Sequence, residues 1–267
     1  MKLIAKGKDY ASFEFGDLKV VALRDGYVDM PPTRLRQESG RPFDTPPDGV
    51  HLVDGQLRLS VNAFLIIENE RSVLIDTGAA DTWHSTMGAL LDGMREAGID
   101  RTSVTHVALT HTHEDHVNGL IAADGSEAFP RAERIFLAKE EISIFSGRLA
   151  RLRDRATPID DEFPISKHIA AVKAAGHSPG HTAYDIESSV GHLIAWGDTV
   201  HVPSIQFARP EITWQWDDDP SNARKARMVL LNRATRPNHF VAGAHLDFPG
   251  IGRVTKSGNQ FVFHAID

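Results

Sequence analysis

The stretch that most restricts how this chain can fold is His111-Thr112-His113-Glu114-Asp115-His116, which follows directly on the short apolar run Val104–Leu109. His111, His113, Asp115 and His116 are four candidate metal ligands within six residues. In an extended segment alternate side chains share a face, so His111 and His113 point the same way from a strand end. Asp115 and His116 stand where the chain turns into a helix; neighbouring side chains diverge there and address a second point in space. One segment thereby serves two adjacent metal sites, and the fold must bring a buried strand to an open edge. With only 14 His in 267 residues, chance is a poor account of three within six positions. The string is not the helical H-E-x-x-H pattern, because His116 comes one residue too early after His113.

A single segment cannot complete two sites. Further candidates stand at the ends of other apolar runs: His177 in the tight turn Gly176-His177-Ser178-Pro179-Gly180-His181, Asp198 after Leu193–Trp196, and His245 after Phe240–Ala242. Each alone is weak, although an ionisable residue beside Gly or Ala at the end of a buried strand is a good ligand position. The chain has no cysteine, which excludes disulfides and thiolate chemistry and leaves nitrogen and oxygen as the only donors.

Periodicity places these segments in a fold. Ala11–Phe15 and Leu18–Leu23 flank Gly16-Asp17 as a hairpin, and Asn62–Ile67 with Ser72–Ile75 form a second strand pair around ENER. A helix is expected with Met87, Leu90, Leu91, Met94 and Ala97 on one face, stopped by Gly98. A strand at Ile135–Leu137 leads into a helix over Ala138–Phe145. Strands follow at His168–Ala174, Ala183–Ser188 and His192–Ala195. Asp219-Pro220 opens a helix that faces inward with Ala223, Ala226, Val229 and Leu230. Phe240–Ala244, Arg253–Lys256 and Gln260–His264 complete the strands, the last two around a Ser-Gly-Asn turn. Both halves run strands first and then alternate strands with helices. That order predicts an α/β four-layer αββα sandwich, a single domain over 1–267 with an N-terminal extension over about 1–60. Residues 31–50 hold five prolines and little apolar surface. They are expected as an ordered arm lying across the active-site mouth or a second subunit.

The ordered motifs LIDTG, THTHEDHVNG, GHSPGHT, WGDT and AGAH resemble those of the metallo-β-lactamase superfamily over roughly residues 60–250. AHLDFPGIGR and VNAFLIIENERSVLIDTGA resemble its methyl parathion hydrolase branch, close to the quorum-quenching lactonases. The resemblance implies the metallo-β-lactamase fold and two divalent metal ions, zinc first, with manganese, iron(II) or cobalt as alternatives. It implies that His111, His113 and His177 hold one ion, that Asp115, His116 and His245 hold the other, and that Asp198 bridges both. Asp76 is then a non-ligand acid that fixes loop geometry, and His181 a structural, hydrogen-bonding histidine. The same branch implies a homodimer. Residues 1–60 match no motif. The diiron flavin-linked branch carries Glu where this chain has His113, which disfavours it.

The implied reaction is hydrolysis of a small-molecule lactone, ester or organophosphate by a hydroxide shared between metals about 3.5–4 Å apart. Asp115 is the catalytic residue, carrying a proton to the leaving group. His201 is read as a support behind the metal ligands, as substrate-facing, or as an exposed loop histidine. Trp83, Phe145, Phe207, Trp214, Trp216 and Phe248 are candidates for an apolar pocket wall, a dimer contact or simple core. A mononuclear iron enzyme similar to persulfide dioxygenases, a thioester hydrolase of the glyoxalase II type, a nuclease and a non-catalytic metal-binding protein are the competing readings. The net charge of −7 argues against a nucleic-acid partner, and Arg148, Arg151, Arg153 and Arg155 are read as a solvated helix face. No apolar run near the N-terminus has the length of a signal peptide or membrane span, so a cytoplasmic protein without a membrane partner is expected.

Overall fold

A computed structural model describes every residue except Glu70, Asn259 and Asp267. Glu70 and Asn259 belong to the expected ENER and Ser-Gly-Asn turns, and at these positions the turns lie outside the described residues. The first half contains β1 (Lys2–Lys6), β2 (Tyr10–Phe15), β3 (Leu18–Met30), β4 (Leu35–Arg36), β5 (Leu57–Ile67), β6 (Ser72–Ile75), helix α1 (Leu90–Glu96), β7 (His106–Ala108), helix α2 (Glu114–Val117), β8 (Arg134–Ala138) and β9 (Ala156–Ile159). The second contains β10 (Ile169–Lys173), β11 (Thr182–Ser188), β12 (Gly191–Ala195), helix α3 (Pro203–Gln206), β13 (Thr213–Trp214), helix α4 (Pro220–Ala234), β14 (His239–Ala242), β15 (Ile251–Ser257) and β16 (Gln260–Ala265). No helix among the described residues is long and apolar enough to cross a membrane.

Two large sheets result, ordered β1-β2-β3-β5-β6-β7-β8-β9 and β10-β11-β12-β14-β15-β16, with β4 and β13 as a small third. Strand alternation then builds the layers. On β3, Val20 and Ala22 face the second sheet while Val21 and Leu23 face outward; on β5, Phe64 and Ile66 face in and Ala63 and Leu65 out. The inward set meets Tyr184, Ile186, Leu193, Ala195 and Phe240 of the second sheet. The outward set packs under Leu90 and Met94 of α1 and the turns holding Leu120, Leu149 and Leu152. On the far face of the second sheet, Ile194, Trp196 and Val241 pack against Leu230, Leu231 and Ala234 of α4. Sheets buried on both faces are what the near-continuous apolar runs of these strands require, and the architecture is the αββα sandwich.

Several expectations need correction. Residues 1–60 are not merely an extension, because β1, β2 and β3 form one flank of the first sheet. The arm after them takes one of its two expected placements, on its own chain: β4 pairs with β13, and Leu35, Phe43, Val50 and Leu52 pack with Ile205, Ile212 and Trp214. α1 starts only at Leu90; Met87 joins the arm's cluster instead. Lys139–Ile144 is a 3-10 segment rather than an α-helix, and it turns the Glu141 carboxylate inward onto Thr112, Ser178 and the Gly180 N–H. In α4, Val229 is 65% exposed and Arg227 is buried. Three carbonyls, of Thr199, Pro210 and Ile212, accept hydrogen bonds from the Arg227 guanidinium, which makes that burial tolerable. Arg148, Arg151, Arg153 and Arg155 lie on a 3-10 segment, Gly147–Arg155, and also donate to the carbonyls of Ile121, Gly125, Phe145 and Ala132. Asp219 caps α4 through the Asn222 N–H, with Pro220 in its first turn, as the sequence indicates.

Candidate metal centre

The two sheets are antiparallel except where β6, β7, β8 and β9 run parallel and where β12 runs parallel to β14. Sites in open parallel sheets form beyond the carboxyl ends of the strands, and this chain follows that rule from both sides. Asp76 follows β6, His111 follows β7, Asp198 follows β12 and His245 follows β14, while His177 stands in the turn between β10 and β11.

The donor atoms converge. Asp198 Oδ1 lies 3.1 Å from His116 Nε2, and Oδ2 lies 3.1 Å from His177 Nε2, 3.2 Å from His245 Nε2 and 3.8 Å from His111 Nε2. His113 Nδ1 is 3.0 Å from His177 Nε2. Asp115 Oδ2 is 3.5 Å from His116 Nε2 and 3.6 Å from His245 Nε2. Two clusters without a shared residue emerge, His111–His113–His177–Asp198 and Asp115–His116–His245, and a third, Asp198–His201–His245, overlaps both; each has its donor atoms within 4.8 Å of one another. Donors about 2.0–2.1 Å from a tetrahedral ion are themselves roughly 3.3 Å apart, so these gaps fit ligands that share a cation.

The orientation of the rings is the second test of fit. His116 Nδ1 is 2.9 Å from Asp76 Oδ2, His177 Nδ1 is 2.9 Å from Asp217 Oδ1, and His245 Nδ1 is 2.8 Å from the Ser60 carbonyl. These partners accept, so each Nδ1 carries a proton and each Nε2 is the nitrogen left to face the centre. Thr110 completes the pattern. Its hydroxyl donates to Asp76, so its oxygen accepts from His111 Nδ1 at 3.1 Å. Four rings thus aim Nε2 inward. His111 Nε2, His116 Nε2 and Asp198 Oδ1 are buried without any hydrogen-bond partner among the described residues, a costly arrangement unless something else satisfies them. Divalent cation binding through nitrogen and oxygen fits these residues.

Electrostatics points the same way. Burial would raise Asp198, but His245, His116, His111 and His177 outweigh it and hold the carboxyl well below its usual range. Burial would also raise Asp115, and His116 and His245 overcome that. Burial lowers His177, yet Asp198 and Asp217 push it up to about 9. His111 goes the other way, lowered by burial and by the neighbouring imidazoles. The centre is a buried pair of carboxylates that calls for positive charge, ringed by imidazoles that can give up protons to a cation.

The remaining histidines separate cleanly. His181 donates from Nδ1 to the Ala174 carbonyl at 3.0 Å and accepts the Asp198 N–H on Nε2 at 3.0 Å, so both nitrogens are occupied. Gly197 makes that approach possible: its φ is +51°, and a Cβ there would stand 2.7 Å from His181 Nε2. His201 is buried rather than exposed. Its Nε2 is 3.1 Å from Asp198 Oδ2, and its ring stacks on Trp214 at 5.1 Å. Asp76 takes a left-handed backbone, φ 59°, and accepts the Thr110 N–H at 2.8 Å, tying the β6 end to the histidine segment. Trp83, Trp214 and Trp216 line a cavity of about 770 Å³ over the centre, with Met30, Leu59 and Asp115. Phe145, Phe207 and Phe248 are core or packed against it.

Asp217, the Ser60 carbonyl and Glu141 were not legible as site residues. Asp217 falls in the run Asp217-Asp218-Asp219, which reads as a solvated acidic turn; its place just after Trp214-Gln215-Trp216 is the one signal that could have marked it.

The family model described as Metallo-beta-lactamase superfamily matches residues 57–245, a span that contains every residue of the two clusters. Metallo-beta-lactamase domain-containing protein 1 of Xenopus laevis is 25% identical over 188 residues, covering 68% of this chain and 71% of that protein. Among solved structures, the hydrolase AbOPH of the beta lactamase superfamily superposes with a TM-score of 0.85 at 25% identity, over 98% of this chain and 99% of that one. AidC, a dizinc quorum-quenching lactonase, gives a TM-score of 0.83 at 21% identity, over 97% and 98%. The chain belongs to the metallo-beta-lactamase superfamily and is a metal-dependent hydrolase.

Proposed function

We propose that the chain is a dinuclear hydrolase of lactones or related esters, with organophosphate triesters as the second substrate class, and that zinc is its native metal. One observation carries this reading: two donor sets, not one, converge on a shared carboxylate. A single ion would leave Asp115, His116 and His245 as a buried cluster balanced only among themselves and by Asp76 and Asp198, and burying paired charges is expensive. Structural relatives support the substrate class, since AidC is by name a dizinc lactonase and AbOPH a hydrolase.

Bound in the two donor sets, divalent cations supply a water acidified toward neutral pH and Lewis acidity for the scissile oxygen. The chain's own residues do the rest. Asp198 and the five imidazoles fix the positions of charge. Asp115, buried between His116 and His245 at the cavity floor, accepts a proton and returns it to the leaving oxygen. Met30, Leu59, Trp83 and Trp214 hold the apolar part of the substrate and exclude water from it.

The arm's docking on its own chain accounts for its apolar residues; the homodimer stays a proposal, tested by sedimentation over a range of concentrations. The substrate reading is tested with a panel of acyl-homoserine lactones, aryl esters, phosphotriesters and thioesters on zinc- and manganese-loaded protein. Turnover of lactones or aryl esters above the other classes is expected. Thioester turnover alone would replace this reading with the glyoxalase II type.

A further inference from the structure

Arg34 is the one guanidinium on the wall of the metal cavity, half-buried where the other unpaired charges there, Glu114 and Asp218, are exposed. Its guanidinium makes no hydrogen bond or ion pair among the described residues. Nε is buried with no partner at all. Asp29 and Asp217 of the same wall are each paired, with Arg58 and His177. Glu114, Asp218 and the metal-facing carboxylates also border the cavity, and none comes within ion-pair reach of Arg34.

The group is nevertheless held in place. The backbone of Arg34 accepts from the Gln215 N–H at 2.9 Å, and the next two residues pair with β13. Its guanidinium lies 4.6 Å above the Trp216 ring, which meets Trp214 edge-on at 5.9 Å. Trp214 in turn stacks on His201, beside Asp198. An aromatic ladder therefore runs from the metal centre outward to a fixed, uncompensated cation. Arginine with a free fork of donors, clamped over an aromatic face, is suited to binding a planar anion in bidentate fashion.

We propose that Arg34 is an anion subsite, and that the substrate carries a carboxylate there, joined through an apolar spacer along the tryptophans to the ester that is cleaved. The proposal rests on the hydrolase reading above for the ester end, and on Arg34 alone for the carboxylate end.

The test uses zinc-loaded full-length protein and mono-nitrophenyl esters of adipic, suberic and sebacic acid, each beside its methyl-capped, uncharged counterpart. The free acids should show KM lower by roughly ten- to a hundredfold than their capped partners at one preferred chain length, with similar kcat. In Arg34→Met that ratio should collapse toward one, and Arg34→Lys should restore part of it. Thermal melts and zinc content establish that both variants are folded and loaded. A second readout is equilibrium binding of monomethyl and dimethyl adipate, followed by tryptophan fluorescence. Tighter binding of the monoacid by wild type, lost in Arg34→Met, supports the subsite. Binding of the monoacid that is equal in wild type and Arg34→Met places the carboxylate on the metals and overturns it, as does hydrolysis of both ester forms without charge preference. If neither form is hydrolysed yet the monoacid still binds through Arg34, the subsite stands and the ester-hydrolase reading falls.

Discussion

The two sheets reach the metal centre by different means. The first delivers His111, His113, Asp115 and His116 on one short segment, and braces them together. Asp76 holds both the Thr110 backbone and His116, and Thr110 holds His111. The second delivers His177, Asp198 and His245 from three separate strand ends, each with its own support: Asp217, His181 on the Asp198 N–H, and the Ser60 carbonyl. The difference teaches that a contiguous motif shares its supports and so fails as a unit, whereas dispersed ligands fail singly.

Asp198 is the point where the two schemes meet, and its loss should be the largest effect. In the proposed dinuclear centre, Asp198→Ala takes a donor from each ion and leaves the imidazoles without a shared counter-charge. Bound metal, by elemental analysis, and turnover should both fall to background; near-normal activity would show that the two sheets do not share a ligand.

Asp76→Ala comes next. It strips a shared brace, leaving Thr110 and His116 buried and unpaired, and should lower stability by roughly 3 kcal/mol or more. Both metal equivalents should weaken together. Loss of one ion alone would break the idea of a motif that fails as a unit.

The first half also contains Asp25, at a bulge where Arg24 and Gly26 shift register between β3 and β5. Gly26 is required there, since a Cβ would meet the Thr86 carbonyl oxygen at 2.0 Å. The bulge turns the Asp25 carboxylate inward to accept the Ala79 and Leu90 N–H groups, behind the loop that follows Asp76. Burial, only partly offset by those donors, raises its pKa from 3.8 to about 6. Between those values the unfolded chain is ionised while the folded protein keeps the proton. The stability this group contributes is therefore full below about 4 and is lost as pH rises through about 6, on the order of 2–3 kcal/mol. Urea unfolding from pH 4 to 7 should show that slope in the protein and not in Asp25→Asn. Parallel profiles would remove Asp25 as a titrating brace.

Much of this was legible in sequence and some was not, for physical reasons. Alternation gave Val20, Ala22, Phe64 and Ile66 their inward face, because a strand buried on both sides still alternates between two cores. The ligand candidates were legible because ionisable residues at the ends of apolar runs are conspicuous. Supports were not. Ser60 acts through its backbone carbonyl, which no residue type advertises, on a histidine 185 positions away. Arg227 and Glu141 look like surface residues until the carbonyls and hydroxyls they serve are folded around them. The expected helix over Ala138–Phe145 is instead a 3-10 segment, from which Glu141 reaches both ligand loops.

Asp217→Asn should give the smallest effect. It keeps the shape of the partner but weakens its hold on His177 Nδ1, so one metal equivalent should bind roughly ten- to a hundredfold less tightly while the other is retained. Competition against a chelator reads both. Loss of both equivalents would mean that the second sheet's ligands are as interdependent as the first's.

The central claim is that two donor sets hold two ions about one carboxylate. Elemental analysis of the purified chain, before and after dialysis against zinc, tests it most directly. Two equivalents per chain are expected, with hydrolysis rising as the second is filled. A single equivalent that added zinc does not increase, with full activity, would contradict it.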